Sequence, residues 1–295
     1  MSALAKRRAG VILRLGAVAA TLVVFLFPVY WLVTMAFKPQ QEWAPTEGQI
    51  FWLPHDWTFG NFRRIFGGSA TGDSGLSFLI STPIDALTPI LNSLVASVGG
   101  TALALVIGTS TAYGISRFGA GGKVLPFQIL QLRMFPPIAI IIPVLFLWTY
   151  LKLFDTLPGL VIIYAAITFP FVVWLMRSFF DEVPREIREA AIVDGCSELG
   201  AFRKAVLPLV RGGLATTALF VFILNWSDFL IALVLTSQRV HTAPVFLSQI
   251  QSAATGQEYG SQAALGLILI IPPVLLSILI QRHLVRGLTF GAVKR

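Results

Sequence analysis

A chain of 295 residues that is 56% hydrophobic and only 12% charged carries about half the charge of a soluble domain, so water cannot be the solvent for most of its surface. The net charge of +8 does not point to nucleic acid, because the basic residues flank apolar runs instead of forming an aromatic-interleaved stripe on a soluble fold. A single cysteine, Cys196, and three scattered histidines without an HExxH pair exclude a disulfide framework, a thiol redox pair and a zinc site.

The chain is best read as a membrane protein. About 20 apolar residues cross a bilayer as a helix, and six stretches approach that length: Leu15–Phe37, Ile90–Ile115, Met134–Leu153, Leu157–Met176, Leu214–Thr236 and Ala263–Ile280. The first has a basic lead-in (Lys6, Arg7, Arg8), but its run of 23 residues exceeds the roughly 7–15 of a secretory signal and reads as an uncleaved anchor. Residues 38–89 form a long external loop rich in aromatics (Trp43, Phe51, Trp52, Trp57, Phe59, Phe62, Phe66), which suits the bilayer interface. Within it, Gly67–Gly75 is rich in glycine and serine and reads as a flexible loop.

A core follows over residues 90–282 and a short tail over 283–295. Pro136-Pro137 and Pro143 are expected to kink the third span and Pro272-Pro273 the sixth, since membrane helices tolerate proline where neighbours satisfy the freed backbone. Basic residues collect on the cytoplasmic side of spans. An inside N-terminus places 17 of the 22 Lys and Arg residues in inner segments, which predicts that both termini are cytoplasmic.

Asp228 is the acidic residue deep in the fifth span, about 21 Å along a helix counted from Leu214 at ~1.5 Å per residue. An ionisable group at that depth is a functional candidate. With Asn225 on the same face and Trp226 beside it, Asp228 is suited to hydrogen-bond a hydroxyl-rich solute. The alternative is a polar contact that joins two helices.

The longest inner segment, 181–211, carries both acidic and basic residues. Pro184 suits a first helical turn and Gly195 a left-handed position after a helix end, which predicts a helix from Pro184 to Asp194. Ser197 is a candidate N-cap for a second helix reaching toward Leu207. Ile187, Ala190, Ala191 and Asp194 fall at i, i+3, i+4 and i+7 and share one face, with two alanines that leave room for another surface. Two short helices bent at a glycine fit a docking element for a soluble partner. They also fit a solvated loop with an Arg185–Glu189 pair at i,i+4.

No catalytic constellation accompanies these elements. A phosphate-binding loop would need Gly at position 117 and Ser or Thr after Lys123, where the chain has Arg117 and Val124. No GxSxG appears, and no internal repeat of the kind seen in inverted-repeat secondary transporters.

Glu189-Ala190-Ala191, three residues, Gly195, nine residues and then Leu207-Pro208 resemble the EAA loop of ABC-importer permease subunits, with Ala205 where that pattern usually has Ile or Val. Further motifs resemble the MalG-like branch of the carbohydrate importers. These are Trp57-Thr58 with Asn61-Phe62, Asn92-Ser93-Leu94, Ala112-Tyr113 with Arg117-Phe118, Met134-Phe135-Pro136-Pro137, Asn225-Trp226-Ser227-Asp228-Phe229 and the tail Gly287-Leu288-Thr289-Phe290-Gly291-Ala292-Val293-Lys294.

The resemblance implies an all-α membrane protein of the type I ABC-importer permease fold, with six transmembrane helices and both termini cytoplasmic, in a bacterial inner membrane. It implies a second, MalF-like permease subunit, two nucleotide-binding subunits that hold ATP and Mg, and an external solute-binding protein. The solute would be a sugar, oligosaccharide or polyol, with glycerol phosphate as the alternative in this class and a stand-alone secondary transporter as the alternative outside it. No catalytic residue, metal or cofactor is expected on this chain. Glu189, Ala190, Ala191, Asp194, Gly195, Leu207 and Pro208 would couple it to the nucleotide-binding subunit. Gly287, Leu288, Thr289, Gly291 and Lys294 are candidates for a second contact in the tail, or for a positive-inside anchor. Asn225, Trp226 and Asp228 are candidates for the substrate pathway.

Overall fold

The computed structural model describes residues 3–43, 50–67, 84–122, 124–132, 136–252 and 256–290, so most of the expected Gly67–Gly75 loop lies outside the described residues. The chain forms two compact units, Met1–Ala86 with Leu247–Leu269, and Leu87–Phe246 with Ile270–Arg295.

In the first unit, α1 (Ala3–Ala36) is apolar over more than enough length to span a bilayer. A helix end leaves carbonyls without intrahelical partners, and the loop that follows supplies donors for them. Asn61 Nδ2 donates to the carbonyls of Ala36 and Lys38 at 2.8 and 2.9 Å, and the Thr58 N–H donates to the Phe37 carbonyl at 2.9 Å.

Asn61 belongs to α2 (Gly60–Ile65). The expected interfacial aromatics gather here, with Trp57, Phe59 and Phe62 all packed on the Phe37 ring. Lys38 is buried, donates to the Phe51 carbonyl and lies 4.6 Å from the Trp31 ring centroid. Burial pushes its ammonium below the usual lysine range against the opposing pull of Glu42. A buried ion pair, Arg64–Glu258 at 2.7 Å, ties α2 to the turn before the last helix, α12 (Tyr259–Phe290). A two-residue antiparallel pair, β1 (Gln251–Ser252) with β2 (Gly256–Gln257), leads into that turn.

The second unit is built on α3 (Leu87–Phe118) and α6 (Leu157–Asp181), which pack along their length, with α9 (Arg211–Trp226) against both. Ala96, Gly100, Ala104, Gly108 and Ala112 recur every four residues on the buried face of α3. In a membrane, where lipid tails are as apolar as leucine, small residues at this spacing let helix backbones approach closely. The approach is tight enough that a Cβ on Gly100 would lie 2.7 Å from Tyr164 Cβ, and one on Gly108 would lie 2.7 Å from Val172 Cβ. The unit also holds α4 (Val124–Leu132), α5 (Pro137–Tyr150), α7 (Arg185–Val193), α8 (Glu198–Ala201), α10 (Leu230–Leu235) and the start of α11 (Ala243–Gln249).

Among the described residues, four helices are long and apolar enough to cross a membrane (10–36, 87–118, 157–181 and 259–281), or five if the bent pair 198–209 and 211–226 is one span. Two of the six expected spans differ in detail. The third span shrinks to α5, because Pro136 acts as N-cap and Pro137 occupies the first turn; these prolines start the helix instead of kinking it. Met134 and Phe135 lie outside the described residues. The fifth span is not continuous to Thr236 but breaks at Ser227–Phe229 between α9 and α10.

The turn between α5 and α6 is fastened by one carboxylate. Asp155, at φ +57°, accepts the backbone N–H groups of Ser237, Gln238, Arg239 and Val240 at 2.9–3.0 Å, while its own N–H donates to the Leu235 carbonyl at 3.0 Å. Burial alone would raise this carboxyl, but the four donors outweigh it and hold the group below its ordinary value of 3.8. A depressed folded value means that the clasp contributes fully above pH ~4 and fades as pH falls below that toward the lowered value. Asp155→Ala should therefore cost about 1–3 kcal/mol of stability at neutral pH. Thermal unfolding in detergent should show the gap between wild type and variant closing as the buffer is acidified, and a constant gap would refute the clasp.

Candidate functional site

The segment that leaves the second unit's helices after α6 is shaped by its caps. Pro184 enters α7 as its N-cap, and Glu186 in the first turn complements the positive helix end. At the other end Asp194 is the C-cap and Gly195 takes φ +88°, a left-handed conformation that glycine adopts without strain. The Cys196 N–H donates to the Ala191 carbonyl at 3.0 Å and the Gly195 N–H to the Ile192 carbonyl at 2.9 Å. These two bonds make a Schellman motif, which closes the helix and reverses the chain.

Ser197 then caps α8, its hydroxyl accepting the Gly200 N–H at 3.2 Å. Past Ala201 the chain does not continue as an α-helix to Leu207. Residues Phe202–Val206 form a π-helical turn, followed by one α turn, Leu207–Leu209, and a bend of 79° into α9. Leu207 packs, partly buried, on the apolar core beside Phe202 and Ile187, while Pro208 is exposed.

The face expected to unite Ile187, Ala190, Ala191 and Asp194 is split. Ile187 is drawn onto the core and Ala191 is half-buried beside it, which turns Glu189, Ala190, Val193 and Asp194 outward. Val193 is 86% exposed and Leu199, across the Gly195 turn, 56%, two large apolar side chains offered to solvent. The ion pair in this segment joins Arg188 to Glu198, not Arg185 to Glu189.

At the fifth span, Asn225 is 4% exposed and its Nδ2 donates to Thr101 Oγ1 of α3 at 3.1 Å. Trp226 is buried with its ring stacked on Phe222, the centroids 5.7 Å apart. Asp228 is not within a helix, as counting from Leu214 implies, but in the break after α9. Its Oδ2 accepts the Tyr164 hydroxyl and the Ala232 N–H, each at 3.1 Å. The second of these satisfies one of the free donors at the start of α10. All three residues thus make contacts within the chain.

Gly287, Leu288 and Thr289 fall in the last turns of α12, whereas Gly291 and Lys294 lie outside the described residues. Sequence reasoning missed the Arg188–Glu198 pair, because ten residues and a glycine turn separate the partners and no short-range spacing signals them. It also missed the exposed Val193, although an apolar residue between Ile192 and Asp194 at the end of a charged helix was visible in the sequence.

Long apolar helices packed through a small-residue seam, with a capped helical arm leaving them through a sharp bend, define a multi-pass membrane protein with a protruding helical segment. Residues 104–290 match the family described as "Binding-protein-dependent transport system inner membrane component", and the chain belongs to that family. It is 36% identical over 271 residues to a probable ABC transporter permease protein, y4oR, of Sinorhizobium fredii, covering 92% of this chain and 91% of that one. It is 35% identical over 283 residues to the trehalose transport system permease protein SugB of Mycobacterium tuberculosis, covering 94% and 96%. In fold it is similar to a bacterial ABC transporter involved in the import of the acidic polysaccharide alginate, with TM-score 0.75, 23% identity and coverage of 96% and 98%. The chain is thus a permease component of an ABC transporter in the inner membrane.

Proposed function

We propose that this chain forms half of the translocation pore of an ATP-driven importer for a sugar, oligosaccharide or polyol. In this reading α7 and α8 are the arm that a separate nucleotide-binding subunit grips. The observation that carries it is the outward face of α7, where Glu189, Ala190 and the exposed Val193 stand on a helix closed at its C-terminal end by the Gly195 turn. The same residues fall in the Glu189-Ala190-Ala191…Gly195…Leu207-Pro208 spacing that resembles the EAA loop, and it is this coincidence of motif and outward exposure that supports a docking role.

The partner permease is a MalF-like second subunit, so the pore is a heterodimer, and an external solute-binding protein delivers the solute. ATP and Mg are held by the two nucleotide-binding subunits, not by this chain. The carbohydrate class follows from its likeness to the trehalose permease subunit. Both termini and the arm face the cytoplasm, where 17 of the 22 basic residues then lie. ATP drives the cycle because the gripped arm binds differently in the two states of the pore; a ligand shifts an equilibrium only by its differential affinity. Closing of the nucleotide sandwich draws the arms together and opens the outer face, and hydrolysis resets it. Gly195 sets the turn of the arm, and Leu207 with Pro208 seats its base. Asn225 and Asp228 brace the substrate pathway through their bonds to Thr101 and Tyr164, with Trp226 beside them, and the tail from Gly287 through Lys294 makes a second contact with the nucleotide-binding subunits.

Glu189→Arg should release the nucleotide-binding subunit and cut ATP-driven uptake into proteoliposomes at least about tenfold, as expected for a charge reversed in a buried polar contact. Retention of a stoichiometric complex with normal uptake would show that the arm is not the gripping point.

A further inference from the structure

The motif Ala112-Tyr113…Arg117-Phe118 at the end of α3 has no part in the reading above, yet it is where the arm meets the bundle. Of the four charged residues of α7, Arg185, Glu186 and Glu189 are exposed, and only Arg188 turns inward, its side chain 19% exposed. Arg188 Nε donates to Glu198 Oε2 at 3.0 Å, with a second bond from the same guanidinium to the other carboxylate oxygen, so the pair is bidentate across the Gly195 turn. The guanidinium also lies over the Phe118 ring, 5.0 Å from its centroid. Phe118 is the last residue of α3 and packs edge-on against Tyr113 at 5.9 Å; Tyr113 in turn meets Phe180 of α6 at 5.4 Å and Phe202 of the π turn at 4.5 Å. Beside them Arg117 donates to the carbonyls of Phe180 and Val183 at 2.6 and 2.7 Å, fastening the end of α6 to α3.

We propose that this corner of α3 is the seat through which movement of α7 enters the bundle, with Arg188 as its positioning residue; the inference rests on the coupling role of the arm. Apart from Arg188, α7 is held by Ile187 on the core and by the backbone at Val183–Pro184 and at Gly195, which leaves it free to rock about the Ile187 contact. The planar guanidinium removes that freedom because its fork fixes the Glu198 carboxylate while its face stacks on an aromatic ring. A displacement imposed on the outward face of α7 is thereby carried to α3, α6 and the π turn together. The docking face itself, Glu189, Ala190 and Val193, points away from Arg188, so loss of the clasp leaves the gripping surface in place and disconnects it from the pore.

The test uses the whole importer in proteoliposomes and reads two quantities, the amount of nucleotide-binding subunit retained and the solute moved per ATP hydrolysed. Arg188→Gln should keep the subunit bound and lower the transport ratio about 5- to 10-fold, the range expected when one link in a coupling network is cut. Arg188→Lys, which keeps the charge without the fork, should fall between the variant and wild type. A wild-type ratio for Arg188→Gln in an intact complex overturns the proposal. Should Arg188→Gln fail to assemble, Phe118→Leu and Glu198→Gln each remove one arm of the clasp. A lowered ratio in either supports the seat, and wild-type ratios in both overturn it. Glu189→Arg run in parallel separates the two ideas: if it retains the subunit and transports normally, the docking reading has failed. If it releases the subunit while Arg188→Gln is fully coupled, only the seat has failed.

Discussion

Replacing Gly195 with proline is expected to reduce ATP-driven uptake to background while leaving the subunit inserted in the membrane. The backbone of Gly195 stands at φ +88°, and the pyrrolidine ring locks φ near −65°, so proline cannot occupy the turn at all. Proline also lacks the N–H that Gly195 donates to the Ile192 carbonyl, so the Schellman closure of α7 loses one of its two bonds. The effect belongs to the backbone and not to crowding, since an added Cβ would meet nothing within 4 Å. Gly195→Asn, which tolerates the left-handed region better than other side chains, should retain part of the activity. Uptake and solute-stimulated ATPase activity measured together check this. Normal uptake by the proline variant would mean that the turn plays no part in coupling.

The second large effect is expected inside the bundle. Gly108→Val should sharply lower the yield of folded subunit, with a cost of about 3 kcal/mol or more, the upper end for overpacking a core. The new Cβ alone would stand 2.7 Å from both Cβ and Cγ1 of Val172, itself fully buried, and the helix backbones could relieve the clash only by moving apart along the seam. Gly114→Ala on the same helix is the control. Its Cβ meets nothing within 4 Å of this chain, so yield and melting temperature should be unchanged or raised slightly by the better helix propensity of alanine. Equal behaviour of the two variants would remove the seam as the determinant of α3–α6 packing.

The parts of this structure legible in the sequence are those set by composition and by local backbone chemistry. Long apolar runs gave α1, α3, α6 and α12, and the pair Gly195 and Ser197 marked the end of one short helix and the cap of the next. The break in the fifth span was not legible, because hydropathy is blind to a side chain that caps its own chain. Asp228 satisfies the start of α10 internally, so the polar cluster Asn225–Asp228, which reads as a site within a helix, is where the helix breaks. The role of Pro136-Pro137 was misread for a related reason: two adjacent prolines suit a kink or a helix start, and the extended backbone of Pro136 decides for the start. On the arm, helical spacing placed Ala190 and Ala191 on one side, but the rotation of the helix is fixed by Ile187 and Arg188, whose partners lie far along the chain. Asn225 illustrates the same limit at the candidate pathway, since its partner Thr101 is 124 residues away.

The π turn at Phe202–Val206 has a geometric consequence for the whole arm. Each residue of an α-helix advances the azimuth by about 100°, so widening one turn to hold an extra residue rotates everything downstream by roughly that angle relative to an uninterrupted helix. The phase between α8 and the turn Leu207–Leu209 is therefore set by the width of a single turn, and no face drawn from 3.6-residue periodicity stays continuous through it. A protein that met the same docking surface with an ordinary turn would have to present it from a segment one residue shorter.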